Sequence, residues 1–289
     1  MSASSLLAPG RGIKRGLASL VRGVVPLGLR QRAAAWVGRQ AWIPDRQWRA
    51  AGLVSDLAGR DPDAYHRFLW SHHLAYAESY EAQLRFGRDN IKPDRHQLFE
   101  DLRACLLERG LAPERDVRSV LEVGCSLGHL LRFMETDLFP AAEVLEGFDI
   151  DEYAVRSGNA WLAGQGSRVR LFTADMTRMD AVLASDARYD IVLCAGVLMY
   201  LREEQAASVV QAMLRRAAKL LVVTGLAHPG MDNRELARSE PRPRDGAFRH
   251  NLDAMVDRAG GTARFRRWAA SAPLGWNPPY FVFCDRQDD

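Results

Sequence analysis

The chain has 289 residues, of which 47% are hydrophobic and 26% are charged. This composition makes disorder unexpected and is typical of a globular protein with a sizeable core. Four cysteines are widely spaced in apolar surroundings: Cys105, Cys125, Cys194 and Cys284. Because they form no C-x-x-C pair, we expect a reduced, cytoplasmic protein, and we expect no metal site.

The charge of the chain is uneven. The net charge is +3, but the first 50 residues contain nine basic residues and one acid, so the remainder is net negative. Within residues 1–42, Ile13 and Leu17 recur at helical spacing beside Lys14 and Arg15. This pattern predicts either peripheral contact with an anionic surface, such as the inner face of a membrane, or a solvated helix face. No apolar stretch reaches the ~18 residues of a membrane span.

Helical patterns fill the chain up to about residue 115, without strand patterns. Helices are predicted over residues 31–42, 45–58, 62–86 and 93–109. On the third helix, Leu69, His72, Tyr76 and Tyr80 recur three or four residues apart and share one face. That face either closes over a bound ligand, with Tyr80 as its contact, or packs as an ordinary cap helix. We interpret residues 1–115 as an N-terminal helical cap.

From residue 116 to residue 289, strand and helix patterns alternate, which predicts an α/β domain with a parallel sheet. Strands are predicted at 120–123, 144–150, 169–173, from 189, and at 219–224, 263–268 and 280–285. The last two are separated by a turn rich in proline and glycine, and they predict an antiparallel hairpin at the end of the domain.

The turn after the first of these strands has the composition of a ligand-binding loop. Gly124 and Gly128 allow the backbone to turn tightly and a ligand to approach it, and Glu122 adds an acceptor. A dinucleotide fingerprint would read G-x-G-x-x-G, whereas the spacing here is G-C-S-L-G with no third glycine. The ligand is therefore not expected to be a dinucleotide.

The sequence Glu122-x-Gly124-x-Ser126-x-Gly128 resembles the first motif of the class I S-adenosylmethionine-dependent methyltransferases, with Ser126 in place of the middle glycine. The resemblance implies a Rossmann-like seven-stranded methyltransferase sheet with an antiparallel terminal hairpin. It also implies methyl transfer with S-adenosyl-L-methionine as co-substrate, bound in part by these four residues.

Later segments extend the resemblance. Asp149 ends the second strand at the carboxyl edge, where a carboxylate can accept both ribose hydroxyls, and Ile150 follows it. After the third strand, the resemblance implies that Asp175 accepts a hydrogen bond from the adenine amine and that Met176 packs on the adenine ring. The alternative for Asp175 is a helix N-cap. In the Y-D-x-V segment from residue 189, Cys194 is expected beside the sulfonium, as a small strand residue rather than a nucleophile.

Methyl transfer to a hydroxyl needs a base, and His228 is the first candidate because imidazole titrates near neutral pH. His250 and Tyr200 follow it, and for each histidine an ordinary hydrogen-bonded role in a loop is the alternative. The expected acceptor is a small molecule or sugar hydroxyl or amine, such as a polysaccharide or natural-product intermediate. Nucleic acid is not expected, because the basic excess is confined to one end and an Asn-Pro-Pro-Tyr sequence occurs only at 277–280, in the terminal hairpin. Two other readings stay open: a non-catalytic cofactor-binding module and a nicotinamide-dependent oxidoreductase.

Overall fold

The computed structural model describes residues 24–40, 42–72, 74, 93–243, 245–271 and 278–286. Tyr80 and most of the basic leading segment lie outside these residues. The chain forms two compact units, residues 1–75 and residues 76–289.

The first unit is helical, as predicted. Its helices are α1 (Leu27–Arg39), α2 (Arg46–Leu53), α3 (Leu57–Arg60) and α4 (Pro62–Ser71). Apolar side chains of all four helices form its core, among them Ala34, Ala50, Leu57 and Phe68.

The helix predicted over 45–58 is broken after Leu53. At the break, the buried Arg30 guanidinium donates to the Leu53 carbonyl (2.9 Å) and to both oxygens of the Asp56 carboxylate (2.5 and 3.0 Å). Its partners satisfy a charge that burial would otherwise make costly. The expectation of one continuous helix was therefore wrong, because the Arg30 side chain of α1 donates a hydrogen bond to the carbonyl of Leu53, the last residue of α2.

The second unit is built on a seven-stranded sheet in the order β3-β2-β1-β4-β5-β9-β8. Its strands are β1 (Ser119–Val123), β2 (Val144–Asp149), β3 (Arg170–Thr173), β4 (Tyr189–Ala195), β5 (Ala217–Thr224), β8 (Gly261–Trp268) and β9 (Tyr280–Arg286). The first five are parallel, and β9 pairs antiparallel with both β5 and β8. This confirms the predicted fold class, including the antiparallel terminal hairpin.

Helices cover both faces of the sheet. They are α5 (Pro93–Glu108), α6 (Pro113–Asp116), α7 (His129–Phe133), α8 (Glu152–Gly164), α9 (Met179–Val182), α10 (Glu203–Arg216) and α11 (Leu252–Arg258). Side chains alternate between faces along each strand. In β4, Ile191 and Leu193 pack in the cluster with α5, α7 and α8, whereas Val192 and Cys194 pack in the cluster with α10 and α11.

Helix α5 was assigned to the N-terminal cap in the sequence, yet it contributes Leu98, Leu102 and Leu106 to the core of the second unit. The predicted domain bounds, 1–115 and 116–289, thus differ from the division between Ala75 and Tyr76 in where they place this helix. A short hairpin of β6 (Glu240–Pro241) and β7 (Phe248–Arg249) was not predicted.

No helix within the described ranges combines the length and apolar character needed to cross a bilayer.

A close approach couples α8 to the ligand loop. A Cβ built on Gly158 would lie 2.6 Å from the Leu127 carbonyl oxygen, a backbone atom that cannot easily move. Gly158→Ala is therefore expected to lower the free energy of unfolding by about 1–3 kcal/mol through overpacking, even though alanine favours helix over glycine by ~1 kcal/mol. Denaturant unfolding measures the change. Gly164→Ala in the same helix is the matched control, since nothing lies within 4 Å of its Cβ position, and its stability should be equal or higher. Equal effects at both positions would contradict the close-approach argument.

Candidate active site

The loop after β1 holds three residues in the left-handed backbone region. Gly124, Ser126 and Gly128 have φ values of 77°, 50° and 76°. The amides of Gly124 and Cys125 both donate to the Phe148 carbonyl at the end of β2 (2.8 and 3.0 Å). The loop is thereby fixed to the carboxyl edge of the sheet, where ligands of open α/β folds bind.

Side chains from neighbouring segments occupy the space that a Cβ on either glycine would need. Val197, in the loop after β4, lies 2.5 Å from the Cβ position of Gly124, and Leu171 of β3 lies 2.9 Å from that of Gly128. Both positions are therefore crowded, and their left-handed backbone conformation by itself favours glycine.

Asp149 ends β2 directly beside this loop. Its Oδ2 accepts from the Ser126 amide (2.8 Å) and its Oδ1 accepts from the Asp151 amide (2.9 Å). Burial raises the pKa of the Asp149 carboxyl, while these backbone bonds lower it. A carboxylate can accept about four hydrogen bonds, so these backbone donors leave the carboxylate further acceptor capacity for ligand hydroxyls.

Ile150, Asp175 and Met176 lie at the same edge, because β2 and β3 are parallel neighbours with Asp149 paired to Thr173. Ile150 is 47% exposed although it is apolar. The Oδ1 of Asp175 accepts from the amide and the hydroxyl of Thr177 (2.8 and 2.7 Å) and so caps a short 3-10 turn. Asp175 thus has the capping geometry that was its structural alternative, and its adenine contact stays a prediction.

Glu122 lies in β1 beneath the loop and is only 2% exposed. Its Oε2 is buried and receives no hydrogen bond from the described part of the chain. Burial raises the pKa of Glu122 well above its ordinary value, and the positive charge of Arg95 acts in the opposite direction. An unpaired buried acceptor of this kind is costly unless a ligand or a cation satisfies it.

Arg95 comes from the first turn of α5 and reaches the end of β4. Its Nη2 donates to the Ala195 carbonyl (3.1 Å) and lies 3.0 Å from the position that a Cβ on Gly196 would occupy. It therefore places a guanidinium at the carboxyl edge of the sheet, on the strand next to the glycine loop. Nothing in the local sequence singles out Arg95, since its partners are 27 and 100 residues away.

Cys194 has no exposed surface and lies in the core cluster with α10 and α11. Burial raises its pKa to about 12, so the thiol stays protonated and is no nucleophile. Its side chain points into the core, and a ligand beside this strand would meet backbone.

The segment after β4 connects Tyr200 to the glycine loop. Tyr200 ends the 3-10 turn Leu198–Tyr200, which follows the Val197 that packs on Gly124. His250 fixes this turn from behind: its Nε2 donates to the Leu198 carbonyl (3.0 Å), and its Nδ1 accepts from the Ser239 hydroxyl (2.7 Å). With both ring nitrogens engaged and 1% exposure, His250 has the geometry of a structural residue rather than of a base. Burial also lowers the pKa of His250.

His228 follows β5 and is held in one tautomer. Its Nδ1 accepts from the amides of Gly230 and Met231 (3.1 Å each), so the proton of the neutral ring lies on Nε2. Nε2 faces the Glu240 carboxylate at 3.6 Å. In this arrangement His228 can donate a hydrogen bond, but it has no available lone pair with which to accept a proton. The role of general base predicted for His228 is therefore not the one that this geometry favours.

Asn233 joins these elements into one frame. It is fully buried, its Oδ1 accepts from the His228 amide and the Trp268 indole (2.7 and 2.8 Å), and its Nδ2 donates to the carbonyls of Leu226 and His250 (3.0 and 2.8 Å). His228 and His250, which are 22 residues apart in the sequence, are thus positioned by the same side chain.

Residues 120–219, which hold the glycine loop, Asp149, Asp175 and the β4 segment, match the family model of a methyltransferase domain. The chain therefore contains a methyltransferase domain over residues 120–219.

Solved structures share the fold of this methyltransferase domain. Magnesium protoporphyrin IX methyltransferase from Synechocystis, with S-adenosylmethionine bound, is 16% identical at a TM-score of 0.54, over 78% of this chain and 98% of that chain. The CcbJ methyltransferase from Streptomyces caelestis is 18% identical at 0.51, over 74% and 96%. A methyltransferase from Clostridium acetobutylicum is 10% identical at 0.51, over 75% and 99%. Curated proteins yield no significant match to the sequence.

Among the predicted site residues of the methyltransferase domain, the structure groups most at the carboxyl edge of the sheet. Those that share this edge are Glu122, Gly124, Ser126, Gly128, Asp149, Ile150, Asp175, Met176, Tyr200 and His228. Cys194 and His250 belong to the same region but have buried side chains, and Tyr80 lies outside the described residues. Their individual roles remain predictions.

Ser126 is a strained departure from the glycine motif. A left-handed backbone conformation costs a non-glycine residue roughly 1–2 kcal/mol. Glycine avoids that cost but loses more conformational entropy on folding, which destabilises the folded state by roughly 0.5–1 kcal/mol. Ser126→Gly is therefore expected to raise the free energy of unfolding by up to about 1 kcal/mol, as measured by denaturant unfolding. Ser126→Ala keeps the strain and removes only the hydroxyl, so it should show no gain. A Ser126→Gly protein less stable than both others would mean that the serine side chain outweighs the strain.

Proposed function

We propose that this protein transfers the methyl group of S-adenosylmethionine to a hydroxyl or amine of a small molecule or sugar. The observation that carries the proposal is the rigid unit formed by the glycine loop and Asp149, joined by the Ser126 amide at 2.8 Å. A ligand can approach the backbone of the loop closely, and the Asp149 carboxylate, which is hydrogen-bonded to the loop, can accept hydrogen bonds from ligand hydroxyls. This is what a nucleoside with two ribose hydroxyls requires.

Glu122 and Arg95 favour an amino acid at the other end of the ligand. Glu122 has an unsatisfied carboxylate oxygen, which suits an ammonium group, and the Arg95 guanidinium suits a carboxylate. Ile150 and Met176 provide apolar surface at the adenine end. A nucleoside bearing an amino acid thus matches the donor and acceptor types along this edge.

When bound, S-adenosylmethionine would supply a methyl carbon made electrophilic by its sulfonium: the carbon–sulfur bond breaks as the bond to the acceptor oxygen or nitrogen forms, the neutral thioether leaves, and the acceptor's proton passes to solvent. The protein's own contribution is to bind and orient, since displacement needs the acceptor atom in line with the methyl carbon. We assign acceptor positioning to Tyr200 and His228, which follow β4 and β5 at the same edge. His228 acts in this assignment as a hydrogen-bond donor through Nε2.

We retain the other predicted features as proposals. The helices of the first unit keep the predicted role of a cap, Tyr80 keeps its predicted ligand contact, and residues 1–42 keep their predicted peripheral contact with a membrane surface. A small or glycan acceptor is supported by the polar His228 and Tyr200 at the edge, and by the net negative charge outside the first 50 residues, which disfavours nucleic acid.

Isothermal titration with S-adenosylmethionine and with its demethylated product tests the proposal directly. Both are expected to bind, and the reduced nicotinamide cofactor is expected not to bind. Radiolabelled methyl donor with a panel of sugars and small hydroxyl or amine compounds then tests transfer. The proposal would be overturned if only the nicotinamide cofactor bound, or if neither S-adenosylmethionine nor its demethylated product bound.

Asp149 and Asp151 provide a matched pair for testing the ribose site. Asp149→Asn should weaken binding of the demethylated cofactor by about 10- to 100-fold, because it removes a charged acceptor worth roughly 1.5–3 kcal/mol per hydrogen bond. Asp151 instead caps α8 through the amides of Tyr153 and Ala154 (2.9 and 3.2 Å), and asparagine preserves a cap. Asp151→Asn should therefore bind as the native chain does in calorimetry. Equal losses in two folded variants would show that Asp149 has no special role.

Cofactor affinity should depend on pH through Glu122. Because burial raises the pKa of Glu122, the carboxyl is more often protonated at low pH, and a neutral carboxyl does not attract an ammonium group. Affinity for the demethylated cofactor should therefore rise as pH increases above the ordinary glutamate pKa of about 4.3, for as long as the ligand's α-amino group stays protonated below its pKa of about 7.7–8.0. In Glu122→Gln, binding should be weaker and nearly independent of pH over this range. A parallel rise in both proteins would assign the pH dependence to another group.

A further inference from the structure

Exposed apolar side chains are concentrated in the first unit. Half of the large apolar residues that are exposed in the described chain lie between residues 24 and 48. They are Val24, Leu29, Trp36, Trp42 and Trp48, with exposed fractions of 76%, 55%, 51%, 73% and 53%. Scattered exposed apolar residues are ordinary, but such a concentration with three tryptophans is typical of an interaction surface.

Helix α1 has two faces of opposite character. Arg30, Ala34 and Ala35 are buried, and Ala34 packs in the core of the unit. Leu29, Arg32, Trp36 and Arg39 are spaced three or four residues apart, and all four are exposed. This spacing places them along one stripe of the helix. The outer face of α1 therefore alternates apolar and cationic side chains.

The segment beyond α1 continues the same chemistry. The Gln40 side chain donates to the Trp36 carbonyl (3.2 Å) and accepts from the Trp42 indole (3.3 Å), which ties Trp42 to the last turn of α1. Trp48 and Arg49 are exposed on α2, the helix that shares a core with α1. We call Leu29, Arg32, Trp36, Arg39 and Trp42 the tryptophan–arginine face.

The arginines of this face are available to a partner. Arg32 and Arg39 are exposed, and neither of them forms an ion pair with another residue in the described ranges. Arg30, by contrast, is buried against Asp56 and is already neutralised. The face thus presents positive charge together with aromatic and aliphatic surface, which matches a partner with anionic groups above an apolar layer.

We propose that the tryptophan–arginine face docks on an anionic lipid bilayer. Tryptophan rings suit the headgroup level, where one edge is wet and the other apolar, and arginines there bind lipid phosphates. Single-stranded nucleic acid also combines phosphates with stacking surfaces, but it provides no apolar layer for Leu29 and Val24. This docking is independent of methyl transfer, because every residue of the face belongs to the first unit.

Co-sedimentation of the full chain with vesicles tests the docking. The chain should bind vesicles of phosphatidylcholine with phosphatidylglycerol more tightly than pure phosphatidylcholine vesicles, and salt should weaken that binding. Replacing Arg32 and Arg39 by glutamine should weaken it about 25-fold, at about fivefold for each arginine near the surface. Replacing Trp36 and Trp42 by serine should weaken it as well.

Matched controls come from exposed residues of the second unit. Arg170→Gln with Arg286→Gln, and Leu107→Ser, remove similar exposed groups elsewhere and should leave vesicle binding unchanged. Binding of the demethylated cofactor should be unchanged in all of these variants, which keeps this test separate from that of the proposed function. Failure to bind anionic vesicles, equal loss in the control variants, tighter binding to single-stranded oligonucleotides, or a dimer that dissociates when Trp36 and Trp42 are replaced would each overturn the proposal.

Discussion

The geometry of the site depends on the hydrogen bonds that tie the end of β1 to the end of β2. Two amides of the glycine loop donate to the Phe148 carbonyl, and the Ser126 amide donates to the Asp149 carboxylate. The loop and the carboxylate consequently move as one body. Val197 and α8 then pack closely against the loop. A site assembled from backbone bonds and close packing is organised before a ligand arrives, which reduces the entropy lost on binding.

Much of this arrangement could be predicted because its signals are local. Each parallel strand is a short apolar run followed by a turn, and Asp149 and Asp175 come directly after such runs. Once parallel pairing is assumed, the carboxyl ends must share an edge. The terminal hairpin follows from a proline- and glycine-rich turn between two strand patterns. These features require no knowledge of which distant side chains meet.

The parts that were missed depend on contacts between distant residues. Arg95 reaches a carbonyl 100 residues away, and the break after Leu53 comes from a guanidinium 23 residues earlier. The state of each histidine is decided by its hydrogen-bond partners: a turn of its own loop for His228, and the carbonyl of Leu198 for His250. The sequence can identify a histidine after a strand, but it does not tell which ring nitrogen accepts a hydrogen bond in the folded protein. The two-residue strands β6 and β7 are too short to leave a periodic pattern.

Asn233 limits how the part of this edge around His228 and His250 can change. An amide offers donors and acceptors together, and all four of its bonds here go to groups fixed in the fold. Aspartate has nearly the same shape but no N–H, and leucine has neither donor nor acceptor, so either replacement would strand several buried partners. A single substitution of Asn233 would therefore destabilise the frame. The side chains that it displays, such as His228, are held by backbone amides and can be exchanged without dismantling it. Sequence divergence at this edge would thus alter the displayed side chains while the asparagine beneath them stays.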